Sequence, residues 1–334
     1  MSKKVLFITC DRVKTQYGII SGLFNSARFV VDYLLEKQYD VQQVSVFDGN
    51  GVDKVVTEFN PDIVIIEALW LSPLKFNELL KIQRHKNRRW IVRIHSKAPF
   101  LANEGMATKW ISEYTYIQGI EIAPNTQELT NQLAIAFPKG KFLHLPNIYV
   151  FDEFIKSAVV KDSNIIDVGC FGAVRPMKNT YHQALAAIDF AQKQDKKLRF
   201  HVNSTRIEQS GESAVKNLKA LFEGSDKHEL VEHLWYSHTD LLTVISSMDI
   251  GTQASFSESF NIVTADFVTA GVPTVASDDI KWMPGILKCK PTSHAELVLT
   301  MTVAYKHKKL MAFIQKLYLK FYNYKAKITW IRTL

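Results

Sequence analysis

The stretch SFSESFNIVTADFVTAGVPTVASD, residues 255–278, reads as a strand end, a turn, a helix and a second strand. It carries Glu258 in the turn and Asp266 eight positions later, where an ordinary buried strand–helix–strand unit has no use for two carboxylates. Working outward, the same alternation fills the chain. Strand-like runs are KVLFIT (4–9), VQQVSVF (41–47), DIVIIEA (62–68), RWIVRIH (89–95), IEIAP (120–124) and KFLHLP (141–146). The clearest helix between them, 23–37, sets Leu23, Ala27, Val30, Val31 and Leu34 on one face. After a polar connector around 151–163 the pattern restarts, with strands expected at 165–172, 197–203, 230–236, 250–255 and 273–278. Helices are expected at 179–194, 212–223, 239–247 and 260–270, and then near 293–305 and 308–325.

Short apolar strands alternating with amphipathic helices predict an α/β protein with parallel sheets covered on both faces. The expected architecture is two Rossmann-like domains, 1–150 and 151–305, with parallel sheets facing a central cleft, followed by a basic amphipathic helix at 306–334 that packs back on the first domain. A cleft of that kind suits a ligand, because loops at the carboxyl ends of both sheets line it.

Composition narrows the class. A hydrophobic content of 47% over 334 residues describes a folded protein with room for two cores. Cys10, Cys170 and Cys289 are odd in number and lack metal-ligand spacing, which predicts a reduced compartment. The opening MSKKVLFITCDR enters a strand directly and no window approaches a membrane span, so a soluble, cytoplasmic protein is expected, with peripheral membrane attachment as a variant of that reading. The charge is lopsided. After the last acid, Glu296, come Lys306, Lys308, Lys309, Lys316, Lys320, Lys325, Lys327 and Arg332. Removing these eight from the 41 lysines and arginines leaves 33, equal to the 33 acids, so the formal charge of +8 belongs to the tail.

Four places carry candidate chemistry. A helix starting near Phe260 would offer its first N–H groups and positive dipole end to a diphosphate, through Ser259, Phe260, Asn261 and Ile262. Glu258 would accept from sugar hydroxyls and Asp266 from a second diol; equally, Ser257 or Glu258 could cap the helix and Asp266 could be a solvated face residue. In GCFGAVRPMKNTYHQALAA (169–187), Gly172 ends a strand and Arg175 and Lys178 follow in a turn, two cations suited to a pyrophosphate or simply a basic loop. Gly18 and Gly22 flank the loop into the first helix, where glycine lets a ligand approach the backbone. His95 ends RWIVRIH, as a functional contact or a structural histidine. No Cys/His cluster or carboxylate-rich loop argues for a bound metal, and the first βα turn lacks the G-x-G-x-x-G of dinucleotide-dependent dehydrogenases.

Taken together, these residues resemble the GT-B glycosyltransferases, specifically family 4, the retaining nucleotide-sugar-dependent enzymes. ESFNIVTAD and AGVPTVAS stand where that family has Glu, seven residues, Glu and then G-x-P-V-V-A-S. GAVRPMK matches its G-R-L-x-x-x-K turn, and PNIY its interdomain PNG. The likeness spans most of residues 4–278. Asp266 replaces the second Glu, Ser259 and Asn261 replace glycines, and Ala173 stands at the family's Arg, whose charge Arg175 could supply.

The resemblance implies transfer of a sugar from a nucleotide diphosphate sugar to a hydroxyl acceptor, with retention and without a divalent metal or other cofactor. Lys178 and Arg175 would stabilise the departing diphosphate, Glu258 would position the sugar, Asp266 the ribose, and His95 the reacting sugar or acceptor. The rival expectation is a non-catalytic protein of the same shape, a nucleotide-sugar-binding protein or a subunit of a complex. The tail bears on the acceptor. Apolar residues recur from Leu310 at Phe313, Ile314, Leu317, Phe321 and Tyr324, with Lys309, Lys316, Lys320 and Lys327 placed roughly opposite. Three readings stand: a helix docked by its apolar face, a helix on an anionic membrane serving a lipid-linked or glycan acceptor, or a helix tracking phosphates of DNA with hydroxymethylated bases, as among bacteriophage enzymes.

Overall fold

The computed structural model describes residues 3–10 and 22–334. The chain divides into two compact units, one of Met1–Val150 with Asn323–Leu334 and one of Phe151–Tyr322.

In the first unit five strands, β1 (Lys4–Cys10), β2 (Asp40–Val46), β3 (Ile63–Glu67), β4 (Arg89–Ile94) and β5 (Ile120–Pro124), form a sheet in the order β2-β1-β3-β4-β5. Every pairing is parallel. Val5, Leu6, Phe7 and Ile8 of β1 are all fully buried, the mark of a central strand covered on both faces. The helix Gly22–Glu36, the first among the described residues, buries Ala27, Val30, Val31 and Leu34 as the periodicity requires, and Phe29 beside them. The sixth expected strand, 141–146, does not form one. It runs as an extended segment tied to β5 by Ile122 N to Lys141 O (2.9 Å), Leu143 N to Ile122 O (2.9 Å) and Leu145 N to Pro124 O (3.1 Å). Pro146 has no N–H with which to extend the ladder.

The second unit holds β6 (Ile165–Cys170), β7 (Lys197–Asn203), β8 (His228–His233), β9 (Ile250–Gln253), β10 (Thr274–Ser277) and β11 (Lys288–Cys289), ordered β11-β10-β9-β6-β7-β8. This sheet is parallel throughout. The two-residue β11 was not foreseen, being too short to show a period. β9, the helix Ile262–Ala270 and β10 form the expected strand–helix–strand unit, with Thr274 registered against Gly251. Gly251 has a packing reason: a Cβ there would lie 2.7 Å from the Phe267 ring, so only glycine lets this helix lie so close to the sheet.

The chain ends in helices His294–Lys306 and Lys308–Thr333. Along its portion in the second unit the last helix buries a narrow strip, Met311, Gln315 and Leu319. Gln315, fully buried, donates to Val272 O (2.7 Å) and accepts from Thr274 N (3.1 Å), supplying partners where β10 begins. The reading in which the apolar stripe docks is therefore overturned, since Phe313, Leu317, Phe321 and Tyr324 are exposed. In the first unit Trp330 of this helix is fully buried, meets Phe7 at 5.9 Å between ring centroids and donates to Pro146 O (2.7 Å). Among the described residues no helix is long and apolar enough to cross a membrane.

Candidate functional site

The loop after β9 holds Glu258, and the turn after β6 holds Lys178. Lys178 Nζ donates to Glu258 Oε1 at 2.5 Å. Both side chains are largely buried, at 14% and 9% exposure, so their attraction is poorly screened. Two residues chosen from separate motifs thus share one point at the carboxyl ends of adjacent strands. Gly172, at φ +113°, turns the chain out of β6 toward Lys178 in a region that favours glycine, and its N–H donates to Asn203 Oδ1 (3.0 Å).

The helix after the loop starts at Ile262, two residues beyond Phe260, and neither Ser257 nor Glu258 caps it. Asn261 does, at φ 57°, with Oδ1 accepting from Thr264 N (2.9 Å) and Nδ2 donating to Gln253 Oε1 (3.0 Å). Asparagine tolerates the left-handed region and so can take a position where the resembled family carries glycine. Phe260 is a core anchor: its ring packs against Trp282 and Tyr322, and its carbonyl accepts from Trp282 Nε1 (2.7 Å). Ser259 is half-buried.

Several residues that hold this loop escaped the sequence reading. Asp279 Oδ2 accepts from Glu258 N (2.7 Å), fixing the backbone behind the carboxylate. Asn179 Nδ2 donates to Ala254 O (3.1 Å) and Pro291 O (2.8 Å). Gln183 accepts from Ala254 N (2.8 Å) and donates to Lys178 O (2.7 Å), bridging the two loops. The side-chain oxygens of Ser255, Ser257, Thr264 and Ser277 are buried with no hydrogen-bond partner among the described residues. Buried hydroxyls are ordinarily satisfied.

Asp266 does not join Glu258 and Lys178. It is 2% exposed, neither solvated nor open to a diol, and its Oδ1 accepts from His238 Nε2 (2.8 Å). The other ring nitrogen, Nδ1, faces Asp152 Oδ2 at 3.0 Å. Burial pulls the His238 pKa down, but Asp266 and Asp152 outweigh it and the net direction is up. The shorter arm of Asp compared with Glu, and a histidine at the start of the neighbouring helix, explain the difference. Arg175 is also committed elsewhere. Its Nη1 donates to Glu208 Oε2 (3.2 Å), the carboxylate that Arg206 Nε holds at 2.7 Å through Oε1.

In the first unit, His95 follows β4 and its Nε2 lies 2.5 Å from Glu67 Oε2. Glu67 is registered against Arg93 across β3 and β4. Arg93 Nη1 donates to Glu67 (3.1 Å), Nη2 to Pro146 O (3.1 Å) and Asn147 Oδ1 (2.7 Å), and Nε to Leu145 O (3.1 Å). Glu67 and Arg93 are fully buried. Burial would raise the Glu67 pKa, but the charge of Arg93 and the hydrogen bonds from His95 and Arg93 hold it below the usual carboxylate value. For His95, burial and then Arg93 depress the pKa, outweighing Glu67, so the ring is held toward its neutral form. An acid ending one apolar strand and an arginine inside the next was the available signal. Gly22 begins helix Gly22–Glu36; Gly18 lies outside the described residues. Among the described residues no group of three His, Cys, Asp or Glu side chains could hold a metal ion.

The arrangement in the second unit offers a cation, an acid and a helix N-terminus at the carboxyl edge of a parallel sheet, the usual place for a ligand in such folds. No protein-family model and no curated protein matches the sequence. Solved structures do. Sucrose-phosphate synthase from Thermosynechococcus elongatus is 11% identical with a TM-score of 0.74, covering 99% of this chain and 98% of its own. The UDP-forming α,α-trehalose-phosphate synthase from Burkholderia xenovorans is 11% identical, TM-score 0.67, with 99% and 98% covered. The Anabaena protein HepE in complex with UDP-glucose is 13% identical, TM-score 0.64, with 99% and 100% covered. Across almost its whole length, this chain has the GT-B fold that those proteins share.

Proposed function

We propose that the protein is a glycosyltransferase that moves a sugar from a nucleotide diphosphate sugar to a hydroxyl acceptor, with retention and without a metal ion. The observation that carries this reading is the Lys178–Glu258 pair at 2.5 Å, beside the N-terminus of helix Ile262–Ala270. The HepE structure adds support, because a protein of this fold binds UDP-glucose. In this reading the donor's diphosphate takes Lys178 from Glu258, and the released carboxylate accepts from the sugar hydroxyls. Lys178 then meets charge that grows on the leaving diphosphate, the form of stabilisation that lowers a barrier rather than merely tightening binding. Arg175 contributes only by exchanging Glu208 for phosphate. Asp266 acts through His238, whose ring it orients. Glu67 orients His95, the candidate for the reacting sugar or the acceptor.

The test pairs binding with turnover. A donor that binds only the folded protein raises its melting temperature, so a panel of nucleotide sugars identifies the donor, and transfer or hydrolysis is then followed for wild type and Glu258→Ala. Donor turnover lost in Glu258→Ala supports the transferase. A donor-dependent shift without turnover supports the rival, a nucleotide-sugar-binding protein. The burial of Asp266 beneath His238 favours that rival, since it withdraws a carboxylate from the ligand. No shift with any nucleotide sugar overturns both.

A further inference from the structure

We propose that the outward face of helix Lys308–Thr333, along its portion in the second unit, docks on an anionic lipid bilayer. This rests on the helix alone and not on the transferase reading. Leu310, Phe313, Leu317 and Phe321 recur at spacings of three and four, which makes one stripe along a helix. They are 54%, 60%, 48% and 60% exposed. Isolated exposed apolar residues need no explanation, but a continuous row of large ones marks a contact surface. The opposite side of the helix is already buried at Met311, Gln315 and Leu319, and Gln315 bonds Val272 O and Thr274 N where β10 begins. The helix therefore has two contact faces, and the more apolar of them looks outward.

The charges identify what covers it. Lys309, Lys316 and Lys320 each immediately precede a residue of the stripe, so each lies about 100° around the helix from it. They are not opposite the stripe, as the sequence reading placed them, but along its flank. All three are exposed, and the chain has no acid after Glu296. Apolar side chains at the level of the acyl chains, with lysines reaching sideways to phosphate headgroups, is the arrangement of an interfacial helix. Duplex DNA would satisfy the lysines yet leave the phenylalanine rings in water. A second copy of the chain would set like-charged lysine rows together.

The experiment is sedimentation of the full chain with vesicles of phosphatidylcholine alone, and of equimolar phosphatidylcholine and phosphatidylglycerol, across a salt series. Duplex DNA serves as a parallel arm. Binding to the anionic vesicles is expected at low salt, weaker by at least about tenfold on the neutral ones. Replacing Lys309, Lys316 and Lys320 by Gln should lower affinity for anionic vesicles by about fivefold per lysine. Phe313→Ser with Phe321→Ser should lower it by at least about tenfold. Because these side chains are exposed, both variants should keep the wild-type melting temperature. The proposal is overturned if anionic vesicles fail to bind at low salt, or if the serine variant binds them like wild type. It is equally overturned if DNA alone binds, with dependence on the lysines only, or if the stripe proves to be a dimer contact abolished by the serine variant.

Discussion

Lys178 Nζ and Glu258 Oε1 meet at 2.5 Å across 80 positions of sequence, so the cation suited to a diphosphate is neutralised by the acid suited to a sugar. Any anionic ligand must compete with this internal partner. Lys178→Ala should lower turnover by roughly 100- to 1,000-fold, equivalent to about 2.7–4 kcal/mol of lost transition-state stabilisation. Near wild-type turnover in the alanine variant would refute the role. The same variant leaves Glu258 without its countercharge and should lower the melting temperature, while Lys178→Ala combined with Glu258→Gln should recover part of it. The coupling is read from a double-mutant cycle.

Asn261 makes a prediction that separates backbone from side chain. Asn261→Ala loses the cap, typically about 1 kcal/mol, and places a Cβ residue at φ 57° without the local bonds that tolerate it, costing roughly 1–2 kcal/mol more. Asn261→Gly loses the cap but relieves the strain, so it should cost only a few tenths of a kcal/mol. Denaturant unfolding of the two variants gives the comparison. Equal destabilisation by Ala and Gly would mean that the positive φ is not an energetic constraint.

The His238 contacts predict a pH dependence with a definite sign. The folded protein holds this imidazole's pKa above its ordinary 6.5, so folding favours the proton. The stabilisation is fully present below pH 6.5 and is lost as pH rises through the higher folded value. The difference in melting temperature between wild type and His238→Gln should therefore be largest on the acid side and shrink with increasing pH. A difference that is constant with pH, or that grows toward alkaline pH, would contradict the Asp152–His238–Asp266 arrangement.

Arg93 and Glu67 are fully buried and depend on one another. Arg93→Met leaves the buried Glu67 carboxylate without its arginine, in contact with His95, and removes donors from Leu145 and Pro146, so a loss of about 3–5 kcal/mol is expected. The double variant Arg93→Met with Glu67→Leu should be more stable than the single one, because no uncompensated charge remains. Unfolding midpoints of the two variants decide it.

The fold was largely legible because period-two and period-3.6 patterns survive in one sequence: β5 and β7 fall on the residues expected. The candidate site was legible to the level of loops, and less so for partners. Glu258 and Lys178 could be named from their motifs, but their contact depends on β6 and β9 being neighbours, which local pattern does not encode. Asp266 illustrates the opposite case. Its spacing pointed to a ligand, while the residue that takes its carboxylate, His238, lies 28 positions away on another helix. For the tail, pattern left three readings open, and the docked-stripe one fails for a physical reason. A hydrophobic stripe ordinarily faces inward, whereas here a polar side chain, Gln315, satisfies backbone groups at the start of β10 and fixes which side docks.

Arg93 also bears on the order in which the first unit assembles. Its guanidinium gathers Leu145 O, Pro146 O and Asn147, three successive residues close to where the chain leaves this unit at Val150. Those groups converge on the guanidinium that Glu67 engages across β3 and β4, so the exit segment should be the last part of the unit to lock. Pulse-labelled hydrogen exchange during refolding should then protect β3 and β4 before the amide of Leu145. Simultaneous protection would refute the sequence of events. A single guanidinium would thus act as a checkpoint, holding the departing chain only in a correctly registered sheet.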